Sequence, residues 1–521
     1  MQAVPAIGVS PYPESLSTAP PARTVAVRWL IPSLTDLLFL AIIVWLFAAD
    51  PAGWDRLVWD GDVGLHTRTG DYILDHGAIP SSDVFSFTMP GERWIAFQWL
   101  TGIGFALLNR WAGLKGIVLF CGVIIALYHT ILLRDMIRHG ANGLFAILLV
   151  LFGCNAASIH FHARPHLWTL LFLSISGLLI ANDRARPSNR FWIVVPLTAV
   201  WANLHSGFPV VIALLGLLAL GSGISALLGD RPWAPARRYG VATALCGLAS
   251  LLNPNGWELH RHILEFIANP WVKAHVNEYQ RPVFNSEAMI YFLVLLVIAL
   301  CFCILFVRRR QWTECLWIAF FAYSALTSAR HIPLFLVVAI PLIGVAGTQL
   351  WNQFASRARR GSVLAIVNEQ AELMTARLKP ISLWPVAAVG AILLVTPPQS
   401  WPRDLSAKYF PTRMVREHAA ELAAARVFTS DQWGDYLLWV NYPRQQVFID
   451  GRSDFFGETV GNEYIAVNDA ATGWQAILRK YKVDTALLAP DSTLAHALER
   501  EPGWKVVAKD RMSVLFSNSA R

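Results

Sequence analysis

The chain has 521 residues, 55% of them hydrophobic and only 15% charged, with 22 Trp and 28 Phe set largely in long apolar runs. That balance excludes a disordered chain and an ordinary soluble core and points to a polytopic membrane protein, because runs of about 20 apolar residues match the hydrocarbon thickness. The formal net charge of +8 arises wholly before residue 403, since residues 403–521 hold 15 Lys+Arg and 15 Asp+Glu; basic loops beside a membrane account for it, and no nucleic-acid partner is expected.

In chain order, residues 1–29, rich in Pro, Ser and Ala, read as a disordered cytoplasmic arm without the apolar core of a signal peptide. A transmembrane domain over 30–402 follows, with spans expected at 30–49, 114–133, 142–159, 166–181, 191–204, 208–228, 239–252, 287–307, 313–329, 332–349 and 381–397. A twelfth apolar stretch, 95–110, decides the sidedness of everything after it. Read as interfacial or re-entrant, it leaves 18 Lys+Arg in the cytoplasmic segments and 10 elsewhere before residue 403. Read as spanning, it moves Arg308, Arg309 and Arg310 outside, against the positive-inside rule. The first topology makes 50–94 and 253–286 external loops and places 403–521 outside.

That last segment reads as a small α/β domain: a helix near 411–425, a strand RVFTS, a turn DQWGD, a helix or strand YLLWV, and a strand QVFID before GRSDFFG. A helix near 471–482, the strand VDTALLA, a helix over 492–500 and the strands KVVAK and SVLFS complete it. The six cysteines lie in or beside apolar runs without the spacing of a zinc site or a disulfide framework.

The polar residues of the membrane part fall at external helix ends: Asp60, Asp62 and His66; His160, His162, Arg164 and His166; Asn203 and His205; His260; Glu278 and Arg281; Arg330 and His331. Any one of them reads as a residue snorkelling at the interface, but convergence on one face points to a shared polar cavity. Asp60-Gly61-Asp62 supplies two carboxylates one glycine apart, able to hold a divalent cation such as Mg or Mn or to divide the roles of base and positioning group. Glu278 and Arg281 either shape a pocket or pair with each other one turn apart. Asp450, Arg452 and Asp454 read as a solvated turn.

WDGDVGLHTRTGDYILDHGAIPSSDVFSFTMPGERWIAFQWL at 59–100 resembles the first external loop of bacterial polytopic proteins similar to the GT-C glycosyltransferases, which use lipid-phosphate-linked sugars. The resemblance runs on through ARPHLWTLLF, WANLHSGF, NPNGWELH, NEYQRPVF, ARHIPLF and VFIDGRSDFFG, and so covers almost all of the chain after its arm; because it includes DGR, it implies acceptor binding or domain docking as the other reading of Asp450, Arg452 and Asp454. Gln98 stands where the group often has Glu, which removes it as a base, and Tyr279 stands where Trp is usual.

The resemblance implies a transferase in a bacterial cytoplasmic membrane. It would take a sugar from a polyprenyl-phosphate donor and pass it, with inversion, to a lipid, glycan or protein acceptor at the external face. Asp60 or Asp62, with His66 beside them, would take the acceptor proton; Arg164, His166, Arg330 and His331 would hold the donor phosphate; Asn203, His205, Glu278 and Arg281 would line the acceptor pocket. The domain over 403–521 is expected to assist the acceptor without joining the reacting groups. A transporter or flippase-like carrier is the main rival, disfavoured by the lack of internal repeats; a non-catalytic membrane assembly protein is the third reading.

Overall fold

A computed structural model describes residues 32–49, 54–357, 359, 361–376, 382–395 and 401–518; the expected arm over 1–29 lies outside the described residues. Six described helices are long and apolar enough to cross a membrane: Leu114–Arg138, Gly143–His160, His166–Ala185, Pro209–Leu227, Glu287–Arg308 and Ala329–Ala355. Each falls on an expected span. The other five expected spans also carry helices, Leu34–Val44, Val194–Leu204, Ala234–Ala249, Trp312–Thr327 and Trp384–Val395, but shorter ones of 11 to 16 residues.

Local signals set several of the helix starts. Ser33 and Asp36 form a reciprocal capping box, the Asp36 carboxylate accepting the Ser33 N–H at 2.6 Å. Asn142 caps Gly143–Ala157 by accepting the Leu144 N–H at 3.0 Å. Leu114–Arg138 is the central element, packed against Leu34–Val44, His166–Ala185 and Ile332–Ala355. Glu287–Arg308 lies outside them and exposes Ile290, Val294, Val297 and Ile304 at helical spacing, an apolar stripe suited to lipid.

The ambiguous stretch forms Trp99–Ala112, whose 14 residues rise only about 21 Å against a hydrocarbon core of about 30 Å. It packs along Asp62–His76, the helix of the first loop. Gly70 and Gly102 permit that approach, since a Cβ on Gly70 would overlap the Gly102 backbone. Arg110 closes the pair by bonding Asp71 at 2.9 Å and Asp75 at 2.6 Å.

The C-terminal segment carries a four-stranded sheet in the order β1-β2-β4-β3, from β1 (Val427–Phe428), β2 (Thr485–Leu488), β3 (Trp504–Lys509) and β4 (Val514–Asn518). β1 is parallel to β2 and the other pairings are antiparallel. Two local expectations change. DQWGD is the first turn of the helix Asp431–Asn441, capped by the Ser430 hydroxyl, rather than a turn between elements. QVFID does not join the sheet: the Val447 N–H donates to the Phe85 carbonyl at 2.9 Å and its carbonyl accepts the Phe87 N–H at 3.0 Å, so the first loop uses the backbone groups that a sheet neighbour would have taken.

This segment is docked tightly on the first loop. A Cβ on Gly61 would meet the Gln432 carbonyl and lie 2.8 Å from Asp435 Cβ, and one on Gly64 would lie 2.9 Å from Trp439 Cβ. Arg452 is the buried tie, donating to Asp450 at 2.6 Å and to Asp83 of the first loop at 2.7 Å, with its guanidinium over the Trp94 ring at 4.5 Å. The solvated-turn reading of Asp450 and Arg452 is therefore corrected: both are buried, and their ion pair is shared with a residue some 370 positions earlier. Arg452→Gln leaves two buried carboxylates without their cation and is expected to cost about 3–5 kcal/mol. Thermal unfolding of the detergent-solubilised protein measures this, and a wild-type melting point would remove Arg452 as the tie.

Candidate active site

Asp60 and Asp62 lie between the 3₁₀ turn Trp54–Val58 and the start of Asp62–His76, and both are buried. Asp60 Oδ1 accepts the Asp62 N–H at 3.0 Å, while its Oδ2 faces His162 Nδ1 at 3.1 Å and Arg164 Nη1 at 3.0 Å. Arg164 precedes the helix His166–Ala185 in a short loop fixed to the first loop by the Ala163 N–H on the Leu57 carbonyl at 2.8 Å. Its second nitrogen meets Asp62 Oδ2 at 2.5 Å, and its first also bonds Glu278 Oε1, brought by the 3₁₀ turn Asn277–Tyr279. One guanidinium thus joins three carboxylates from two distant segments, the first loop and the turn at Asn277–Tyr279.

Their charge states differ. Burial opposes ionisation of Asp60, yet Arg164 and His162 outweigh it and hold the carboxyl well below the usual range. Burial likewise opposes ionisation of Glu278, but Arg164 and Arg330 hold it down to about 2. Asp62 goes the other way: burial, with Asp60, Glu278 and Asp431 nearby, pushes it up to about 8 in spite of Arg164. Burial and Arg164 lower the His66 imidazole to about 3, so it is neutral at physiological pH.

These groups line a cavity of about 1360 Å³. His66, His160, His162, His166, His205 and His331 all border it. His260 does not, being held by the Ser250 hydroxyl at 2.9 Å. Arg330 donates from Nη1 to Glu278 Oε2 at 3.2 Å and to the Tyr279 hydroxyl at 2.9 Å, and its guanidinium lies over the Tyr279 ring at 5.2 Å. His166 donates to the His160 carbonyl at 2.7 Å, and His331 Nδ1 meets the Ser324 hydroxyl at 2.7 Å. His205 Nδ1 accepts the Gly207 N–H at 3.0 Å, which puts the ring proton on Nε2, a buried donor without a partner among the described residues.

One expected pocket residue, Asn203, is placed differently. Asn203 does not line the cavity, since its amide is consumed by the Trp99 indole at 3.1 Å and the Ala199 and Leu252 carbonyls at 2.8 Å each. Arg281 lines the cavity as an exposed residue, and Glu278 pairs with Arg164 and Arg330 rather than with it.

The C-terminal segment supplies residues that the sequence reading set apart from the carboxylates. Asp431, Gln432 and Asp450 border the cavity. The Gly61 N–H donates to Gln432 Oε1 at 2.8 Å. Burial, Asp62 and Asp450 push Asp435 well above the usual carboxylate range. A Cβ on Gly451 would meet Asp62 Oδ1 and would lie 2.9 Å from Asp435 Oδ2. The signal available in the sequence was the glycine beside each carboxylate, in DGD, WGD and DGR. His162, read only as one of the converging histidines, is the further residue that contacts Asp60 directly.

The expected Mg or Mn site on Asp60 and Asp62 does not fit this donor set. Both Asp60 oxygens and Asp62 Oδ2 are engaged by Arg164, His162 and backbone, and the described residues hold no group of three or more His, Cys, Asp or Glu arranged to bind a metal ion.

No family model matches the chain, and none of the curated proteins matches its sequence. Solved structures do match. The oligosaccharyltransferase AglB of Archaeoglobus fulgidus, in complex with an inhibitory peptide and a dolichol-phosphate, aligns with a TM-score of 0.58 at 11% identity over 87% of this chain and 69% of that one. The same enzyme in complex with Zn and sulfate aligns with a TM-score of 0.50 at 11% identity, over 87% of this chain and 68% of that one. ArnT of Cupriavidus metallidurans, bound to undecaprenyl phosphate, covers 96% of this chain and 99% of its own at 14% identity, with a TM-score of 0.47. The chain therefore has the fold of the GT-C glycosyltransferases on an integral-membrane helix bundle.

The split between the two aspartates has a direct readout. Infrared difference spectroscopy is expected to show a protonated carboxyl band that is lost as pH rises through about 8 and is missing in Asp62→Asn. The same titration persisting in Asp62→Asn would move the proton to a neighbour such as Asp435.

Proposed function

We propose that the protein is a membrane glycosyltransferase that moves a sugar from a polyprenyl-phosphate donor to a lipid, glycan or protein acceptor at the external face of a bacterial cytoplasmic membrane. The observation that carries this reading is an ionised, buried Asp60 on the wall of a large cavity that also presents Arg330, in a chain with the GT-C fold. Asp60 takes the acceptor proton as the acceptor atom attacks the sugar carbon that bears the phosphate. The bond from that carbon to the phosphate oxygen breaks on the opposite side, and the sugar inverts.

The departing lipid phosphate gains negative charge, which Arg330 meets. Arg330 is the better placed of the two arginines first considered, because Arg164 is already engaged by three carboxylates while Arg330, among the described residues, bonds Glu278 and Tyr279 through Nη1. His205 adds a neutral donor, and His166 and His331 lie on the same cavity wall. Residues 403–521 complete the cavity and, in this reading, seat the acceptor. A carrier would place its charges near the midplane of the bundle; here they gather beside helix ends and on the docked segment.

Sidedness follows from the basic loops. Cysteines introduced at Ser188 and Ser81, both exposed, in a cysteine-free background are expected to label oppositely in intact cells: Ser188 protected from a membrane-impermeant thiol reagent and Ser81 reactive. Labelling at Ser188 would invert the topology.

The chemistry has its own test. Asp60→Asn should keep donor affinity and lose turnover by about 10²- to 10⁴-fold, whereas Arg330→Lys, which keeps charge but loses the planar fork, should weaken donor binding. Transfer assays with purified protein and polyprenyl-phosphate sugars read both, and full transfer by both Asp60→Asn and Asp62→Asn would leave the carrier or assembly readings.

A further inference from the structure

We propose that Arg164 is a built-in replacement for a divalent cation: its guanidinium fills the position between Asp60, Asp62 and Glu278, and a metal ion and this side chain exclude one another there. Oxygen donors of the chemical type a metal takes surround the guanidinium, arranged for it rather than for an ion. Asp60 Oδ2 and Asp62 Oδ2 come from one stretch of the first loop, a glycine apart, Glu278 Oε1 comes from the second loop, and His162 Nδ1 lies 3.1 Å from Asp60. All three carboxylates point at one place. Arg164 occupies it, with Nη1 3.0 Å from Asp60 and Nη2 2.5 Å from Asp62.

Coordination leaves no room for both cations. An ion such as Mg²⁺ binds oxygens at about 2.0–2.1 Å in an octahedral shell and keeps several waters. Bridging these same oxygens would put the ion inside the contact distance of the guanidinium nitrogens, and its water shell would need the space of the whole group. The side chain is not a loose visitor. Its neighbours Ala163 and His162 are tied to the Leu57 carbonyl and to Asp60, and the side chain itself is four-fifths buried. A guanidinium also stays charged at every physiological pH.

The exchange alters the charge plan in a readable way. A guanidinium carries one positive charge where a metal would carry two, and the missing charge is present next door. Glu278 holds Arg164 on Oε1 and Arg330 on Oε2, so one carboxylate spaces two guanidiniums. On the transferase reading, Arg164 keeps the base ionised while Arg330 faces the phosphate, and no metal is needed between them. The catalytic consequence rests on that reading. The exclusion of metal does not.

The test uses the full-length protein in detergent with Mn²⁺ alone, followed by electron paramagnetic resonance and calorimetry. The wild type is expected to show no saturable Mn²⁺ site that depends on Asp60. Arg164→Met, which removes the cation and keeps much of the bulk, is expected to gain one saturable site, and adding Asp60→Asn to it should abolish that site. Where Arg164→Met fails to fold, the wild type and Asp60→Asn decide the matter by themselves. A saturable Mn²⁺ site in the wild type that is lost in Asp60→Asn would overturn the proposal, as would a folded Arg164→Met that gains none. Absence of transfer with every donor tried would defeat the transferase reading and leave these binding results standing. Transfer that survives chelation in the wild type would support both.

Discussion

Three carboxylates around one buried guanidinium are the constraint on which the rest of this structure turns. A charge removed from water is costly unless its partners are positioned to meet it, and removing one member strands the others. Arg164 can be buried only if the first loop, the short loop before His166–Ala185 and the turn at Asn277–Tyr279 all arrive together. The helices that deliver those loops are thereby held in register, and the cavity between them takes its shape from that requirement. The same arrangement sorts the acids, holding Asp60 ionised and leaving Asp62 with its proton to about 8.

The C-terminal segment belongs to this electrostatic unit rather than standing above it. Asp431 and Asp435 reach the first loop through the N-terminal turn of a helix, and glycines at 61, 64 and 451 remove the side chains that would hold the surfaces apart. Burial, and then the acids added to an already acidic neighbourhood, raise the affinity of Asp62 and Asp435 for protons. Arg452 offsets part of that charge through Asp450 and Asp83, and its aromatic surroundings shield the ion pair from water. A second clamp joins the other loop to the same segment, with His262 on Asp454 at 2.9 Å and Trp271 on Asn462 at 2.7 Å. The cavity is thus walled by the first loop, the second loop and this segment at once.

Much of the architecture was legible in the amino-acid order because lipid imposes a one-dimensional rule. A run of apolar residues long enough to cross is visible without knowing its neighbours, and the helices Leu114–Arg138 and Glu287–Arg308 stand where their composition puts them. Sheet membership is different in kind. VDTALLA, KVVAK and SVLFS pair with one another, but QVFID, with equal strand character, bonds the first loop instead, since strand propensity does not say which edge will be offered.

The site divides along the same line. Residue type and position alone placed carboxylates, histidines and arginines at one set of helix ends, and six of the seven histidines read there do border the cavity. Partner choice came only with the tertiary structure: Glu278 takes Arg164 and Arg330 rather than the nearby Arg281, Asn203 is spent on backbone carbonyls and an indole, and Arg164 is enclosed by carboxylates. Hydrophobic length and the cost of a charge near lipid act on each segment separately, so sequence determines them. The pairing of buried charges depends on distances of about 3 Å between residues more than 100 positions apart, and only the packed bundle sets those distances.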